Sequence, residues 1–141
     1  MQRNASAHWE GGIKQGEGSV STDSGVLQDR PYSYDTRFNG GKGTNPEELL
    51  GAAHAGCFSM ALAKILDDQG HRADSIDTQA GVVLEPKGNG FGITRIHLDC
   101  TAEVPGLDAE GFETAANQAK DNCLISQVVS ADISLDAHLA G

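Results

Sequence analysis

The chain has 141 residues, 38% of them hydrophobic and 18 of them glycine, which suits one domain with a buried core and many turns and is too apolar for disorder. Ten basic against twenty acidic residues give a formal charge of −10, a balance that opposes binding to nucleic acid or to an anionic membrane. Three cysteines are an odd count that makes no disulfide framework, so any disulfide is expected to be transient and redox-active.

In chain order, NASAHWEG, GSVST, GVLQ and PYSYDTRF are short, partly alternating segments that predict an antiparallel meander. The N-terminus MQRNASAHWEGG has no apolar signal core, and no run is read as reaching the ~18 residues that span a bilayer, so a cytoplasmic setting is expected. FNGGKGTNPEE breaks the strand pattern. Its GKGT is not a phosphate loop, because Lys42 is followed by Gly43 rather than Ser or Thr and no strand-like run leads into it.

A helix starts next. Asn45 is the expected N-cap, Pro46 fits the first helical position, and Glu47 and Glu48 sit where the helix dipole favours anions. The pattern runs to a stop at Gly70, and apolar residues surround much of it, which predicts a central helix. Strands return over SIDTQAGVVLE and GITRIHLDCTAEV, with Ile96, Leu98, Cys100 and Ala102 on one face. A second helix over LDAEGFETAANQAKDN takes Asp108 as cap and Phe112, Ala115, Ala116 and Ala119 as its buried stripe. CLISQVVS reads as a tight turn or short helix, and ADISLDAHLAG as a closing strand. The order is that of an α+β domain over residues 1–141, built on mostly antiparallel sheet.

On the residues alone, Cys57 in HAGCFSMALAKIL is open to two readings, a packed thiol or a reactive one. Cys100 falls on an inward strand position and reads as packing. Cys123 follows the polar end of a helix, where the dipole does not lower a thiol pKa, so it is either an inert loop cysteine or a resolving thiol. His54 and Cys57 have the spacing of a metal pair, but no second pair completes a site, and no metal is expected. Ser59 lacks a nucleophile elbow. Arg37, Glu47 and Glu48 taken singly are a strand-end charge and helix-start charges.

Taken together, RFNGGKGTNPEELLGAAHAGCFSMAL and the downstream CLISQVV resemble the OsmC/Ohr family of osmotically inducible and organic hydroperoxide resistance proteins, and HWEG, GVLQDRPYSYDTRF and SIDT resemble its OsmC branch. The resemblance implies an intertwined homodimer with sheets wrapped around long central helices. It implies thiol-dependent reduction of organic hydroperoxides in preference to hydrogen peroxide, with no cofactor and an external dithiol as reductant. Cys57 matches the peroxidatic cysteine, Cys123 the resolving cysteine, Arg37 the thiolate-activating arginine and Glu47 the carboxylate that orients it by a bidentate contact. Leu50, His54, Phe58, Tyr32 and Tyr34 are the expected substrate contacts. One departure stands out: the family usually has proline where this chain has Leu124.

Glu47 and Cys57 lie ten residues apart, about 15 Å along one helix. Two antiparallel copies of the helix crossing near Ala52, among the small residues 51–53, would bring Glu47 of one chain beside Cys57 of the other. A dimer with shared sites is therefore expected. The alternatives are a non-enzymatic redox sensor using the same cysteine pair, and a binding or structural dimer with inert thiols.

Overall fold

The computed structural model describes residues 1–140; Gly141, the last residue of the expected domain, lies outside them. Two compact units divide the chain, one over Met1–Leu49 and the other from Leu50 onward.

The first unit carries a three-stranded antiparallel sheet of β1 (Ala5–Glu10), β2 (Glu17–Thr22) and β3 (Arg30–Tyr32), in that order. Trp9 and Tyr32 pack with ring centroids 5.5 Å apart over Gly18, where a Cβ would come within 2.6 Å of both rings. GVLQ forms no strand. PYSYDTRF is not one strand either. It splits into β3 and a short helix, α1 (Tyr34–Phe38), because Ser33 caps the Thr36 N–H while the Thr36 hydroxyl takes the Ser33 N–H. Arg37 therefore sits on a helix rather than at a strand end. GKGT serves as a joint: Thr44 N–H bonds Pro31 C=O at 2.9 Å, and Gly43, at φ +137°, leaves no room for a Cβ beside that carbonyl.

Helix α2 (Pro46–Asp68) begins in this unit as expected, with the Glu48 N–H bonded to Asn45 Oδ1 at 2.8 Å. It ends in a Schellman motif: Gly70, at φ +83°, bonds Asp67 C=O, and His71 N–H bonds Leu66 C=O. Gly51, His54, Phe58, Leu62 and Leu66 form its buried face, while Ala52, Ala53, Gly56, Met60 and Lys64 are exposed. The expectation that no segment reaches spanning length is corrected here. By length and composition α2 is long and apolar enough to cross a membrane, at hydropathy 1.5. Its row of buried residues belongs to the core of the second unit, which is the arrangement of a core helix.

That unit pairs β4 (Ser75–Lys87) with β5 (Gly90–Glu103) through a two-residue turn, and β5 with β6 (Asp132–Leu139). The β5–β6 pair is parallel, so the sheet is mixed. A parallel return requires a crossover, supplied by α3 (Ala109–Asn122) and α4 (Leu124–Val128). Ile96, Leu98, Cys100 and Ala102 are fully buried as their alternation predicts, against Phe58, Leu62 and Leu66 of α2 and Phe112, Ala115, Ala116 and Ala119 of α3. Asp108 caps α3 through Gly111 N–H at 2.7 Å.

Candidate active site

Cys57 projects from the middle of α2, half-buried, and Cys123 joins α3 to α4 as the last cap of one and the first of the other. Both thiols are free, and each bears on the ionisation of the other. The two environments differ. Burial pushes Cys57 up, but the Ile125 N–H, the Cys123 thiol and the Leu124 N–H all donate to its sulfur, and the net result is a lowered pKa. Burial also pushes Cys123 up. The Ser126 N–H and hydroxyl and the Ile125 N–H oppose this, the Cys57 sulfur adds to it, and the net direction is upward. Of the two, Cys57 is therefore the more readily ionised thiol and Cys123 the less.

Those donors exist because α4 starts at Leu124, and the first N–H groups of any helix have no partner within it. Cys123 does follow a helix end, and CLISQVVS, read as a tight turn or short helix, is a short helix that starts there. Ser126, three residues beyond its N-cap, is the overlooked member; the spacing C-x-x-S is the signal that identifies it.

His54 lies one turn before Cys57 and is fully buried. Its Nε2 is 2.8 Å from Ser126 Oγ, while Nδ1 is buried with no partner among the described residues. Burial lowers its pKa, so the ring is neutral at pH 7. Phe58 is also fully buried, and Leu50 packs partly against the same core. His54 and Phe58 thus stand behind Cys57 in this chain rather than on its surface. Cys100 is a core thiol raised by burial, and Ser59 bonds Ala55 C=O and Thr78, both at 2.8 Å.

In the first unit, Arg37 Nε donates to Glu47 Oε1 at 2.5 Å. The contact is single rather than bidentate: Glu47 Oε2 is buried without a partner, and the two Nη groups of Arg37 are not used in it. Arg37 is 41% exposed and Glu47 9%, so the carboxylate is fixed and the guanidinium reaches outward. Tyr34 packs on Phe38 at 4.7 Å, and Tyr32 on Trp9.

Comparison with known proteins follows the same residues. The family model described as OsmC-like protein matches residues 39–138. Peroxiredoxin OsmC of Escherichia coli (strain K12) is 52% identical over 139 residues, covering 99% of this chain and 97% of that protein. Organic hydroperoxide resistance protein OhrB of Bacillus subtilis (strain 168) is 28% identical over 123 residues, 86% of this chain and 88% of that one. Among solved structures, OhrB of Bacillus subtilis matches with TM-score 0.69 at 26% identity, covering 97% of this chain and 98% of its own. An OsmC-like protein of unknown function from Vibrio cholerae shares the fold at TM-score 0.77 and 18% identity, covering 97% and 99%. With its family motif matched over most of its length and a relative more than half identical along nearly all of it, the chain belongs to the OsmC-like family.

Proposed function

We propose that the protein is a cysteine-based peroxidase that reduces organic hydroperoxides, and hydrogen peroxide less efficiently, to alcohols. The observation that carries the reading is the Cys57–Cys123 pair, adjacent thiols with pKa values displaced in opposite directions. Relatives named as a peroxiredoxin and as organic hydroperoxide resistance proteins support the same chemistry.

The Cys57 thiolate attacks the terminal peroxide oxygen, the O–O bond breaks, and the alkoxide takes a proton and leaves as alcohol. Cys57 becomes a sulfenic acid. Cys123 then displaces its hydroxyl as water and forms a disulfide, which protects Cys57 from irreversible oxidation. An external dithiol restores both thiols, and no metal or organic cofactor takes part. A cytoplasmic setting, where such dithiols are abundant, fits this cycle.

A guanidinium beside Cys57 would add to its N–H donors and stabilise charge on the leaving oxygen. We assign that role to Arg37 of a second copy, steadied by its Glu47, in a homodimer formed by α2 helices crossing near Ala52. Only 28% of the apolar window of α2 is buried by its own chain, and Ala52, Ala53 and Gly56 on its exposed face are small enough for close approach. Leu50, Tyr32 and Tyr34 are assigned to the apolar tail of the substrate, with Phe58 and His54 fixing the helix that bears Cys57. Both units act as one functional domain in this reading.

Turnover with an organic hydroperoxide and a dithiol tests it, together with peptide mapping after peroxide treatment. The expected results are many turnovers, a Cys57–Cys123 link, and no turnover in Cys57→Ser. Full activity in Cys57→Ser overturns the mechanism. Peroxide consumption that stops at one equivalent despite excess dithiol would make the pair a sensor.

A further inference from the structure

Helix α4 carries Cys123 at its N-cap, yet little inside it holds it in place. It has five residues, none of them buried, and its backbone bonds are long: Gln127 N–H to Cys123 C=O at 3.2 Å and Val129 N–H to Ile125 C=O at 3.3 Å. A helix this short has no stability of its own. Cys123, 1% exposed, and the partly packed Ile125 and Val129 anchor it to the core by apolar contact, which fixes no direction. The N–H groups that it turns to Cys57 meet a sulfur whose charge is lost on oxidation. A bond that involves neither sulfur ties α4 to α2: His54 Nε2 lies 2.8 Å from Ser126 Oγ. His54 is fully buried, and its Nδ1 has no partner among the described residues. A half-paired imidazole in the core is costly to bury, and a leucine there would pack without that cost. What the imidazole adds is the bond to Ser126.

We propose that His54 and Ser126 form a clasp that holds α4 against α2 and so keeps Cys123 in reach of Cys57 for the disulfide-forming step. The inference rests on the two-cysteine reading and adds what positions its second thiol. His54 lies three residues before Cys57 and Ser126 three after Cys123, so the clasp closes about one turn from each thiol. In the step it serves, the S–O bond of the Cys57 sulfenic acid breaks and an S–S bond to Cys123 forms. The thiol proton leaves with the hydroxyl as water. The sulfenic sulfur is reduced and the thiol sulfur oxidised, with no other reactant. His54 and Ser126 exchange no proton in this step; both are positioning residues. Their effect is one of effective concentration. A clasped α4 presents Cys123 to the sulfenic sulfur continuously, whereas a released one spreads it over many positions and leaves Cys57 open to a second peroxide. Because the bond uses neither sulfur, it stays in place while Cys57 passes from thiolate to sulfenic acid.

Two measurements on the full-length protein separate this role from mere support of the fold. In the first, the reduced protein receives one equivalent of cumene hydroperoxide, and peroxide loss and disulfide formation are timed separately. Ser126→Ala should slow disulfide formation about tenfold, the weight of one buried hydrogen bond, and slow peroxide loss much less. His54→Leu, which leaves the Ser126 hydroxyl in place, should do the same. The equilibrium of the disulfide with dithiothreitol should move about tenfold toward the dithiol in both. The double variant should be no slower than either single one, because both remove the same bond. Ser126→Thr and His54→Gln, which keep a hydroxyl and an N–H, should restore wild-type values. The second measurement follows amide hydrogen exchange in the reduced proteins. Both single variants should speed exchange at Gln127 and Val129 about tenfold, while the amides of β5 exchange as in the wild type. Unchanged exchange at Gln127 and Val129 overturns the clasp. So do effects that add in the double variant, or equal slowing of peroxide loss and disulfide formation. If peroxide never links the two cysteines in the wild type, the two-cysteine reading fails, while the exchange still judges the clasp.

Discussion

Cys57 is acidic only because of groups that α2 itself does not supply, and each can be removed singly. Cys123→Ala takes away one donor to the Cys57 sulfur, so the acid limb of peroxide consumption should move to higher pH. Cys123→Ser keeps a hydroxyl donor and should move it less; both should leave Cys57 open to sulfinic oxidation, visible by mass. The sign for stability follows from the same directions. The lowered Cys57 pKa stabilises the reduced fold fully above the ordinary thiol range, and that contribution is lost as pH falls through the depressed value. The raised Cys123 pKa does the opposite, contributing below the ordinary range and losing its effect as pH rises through the elevated value. Arg37→Ala should lower the rate constant of Cys57 oxidation by about a hundredfold or more, the usual cost of removing a strong electrostatic donor from a reacting centre. Arg37→Lys should recover little, since the Nε that anchors on Glu47 is lost with the guanidinium.

At the scale of elements, α4 matters more than its five residues suggest. Its first N–H groups face Cys57, and Leu124 provides one of them. The proline that the family usually carries there has no N–H. Leu124→Pro should fold well, because Pro suits a first helical position and Cys123, at φ −57° and ψ 128°, already has the backbone required before proline. Its pH profile for peroxide consumption should nevertheless shift upward, for want of that donor. α1 is the corresponding support for Arg37: Ser33→Ala breaks the capping box and should cost about 1 kcal/mol in urea unfolding. Of these two short helices α1 was the one the sequence showed least, whereas CLISQVVS already read as a tight turn or short helix. α2 and α3 were legible to within a residue or two because caps, glycine stop and apolar stripe agreed over many turns. α1 lay hidden in an aromatic, strand-like run, where Ser33 and Thr36 decide the backbone locally. The parallel seating of β6 is a matter of tertiary pairing that alternation alone does not encode. For the site, residue type and motif identified Cys57 and Cys123. The N–H donors of α4 went unseen because backbone groups leave no signature in residue identity.

At the scale of the whole molecule, the proposed dimer makes each active site from two chains, and mixing variants puts this to a direct test. Arg37 and Glu47 belong to one compact unit and the thiols to the other. A chain with Cys57→Ser has an intact Arg37, and a chain with Arg37→Ala has intact thiols. Each homodimer is inactive or nearly so. If Arg37 serves the cysteine of the other chain, a heterodimer holds one site with both groups intact and one with neither. Random reassociation of equal amounts makes half the dimers heterodimers, so the mixture should regain about a quarter of wild-type peroxidase activity. A site built within one chain would instead leave the mixture at the level of the Arg37→Ala protein alone, diluted by half. Ala53→Glu, placed on the exposed face of α2 and outside its buried row, should lower both the dimer fraction in sedimentation and the activity, while Cys57 and Cys123 remain paired within each chain. Loss of dimer without loss of activity, or a mixture that regains nothing, would return the site to a single chain.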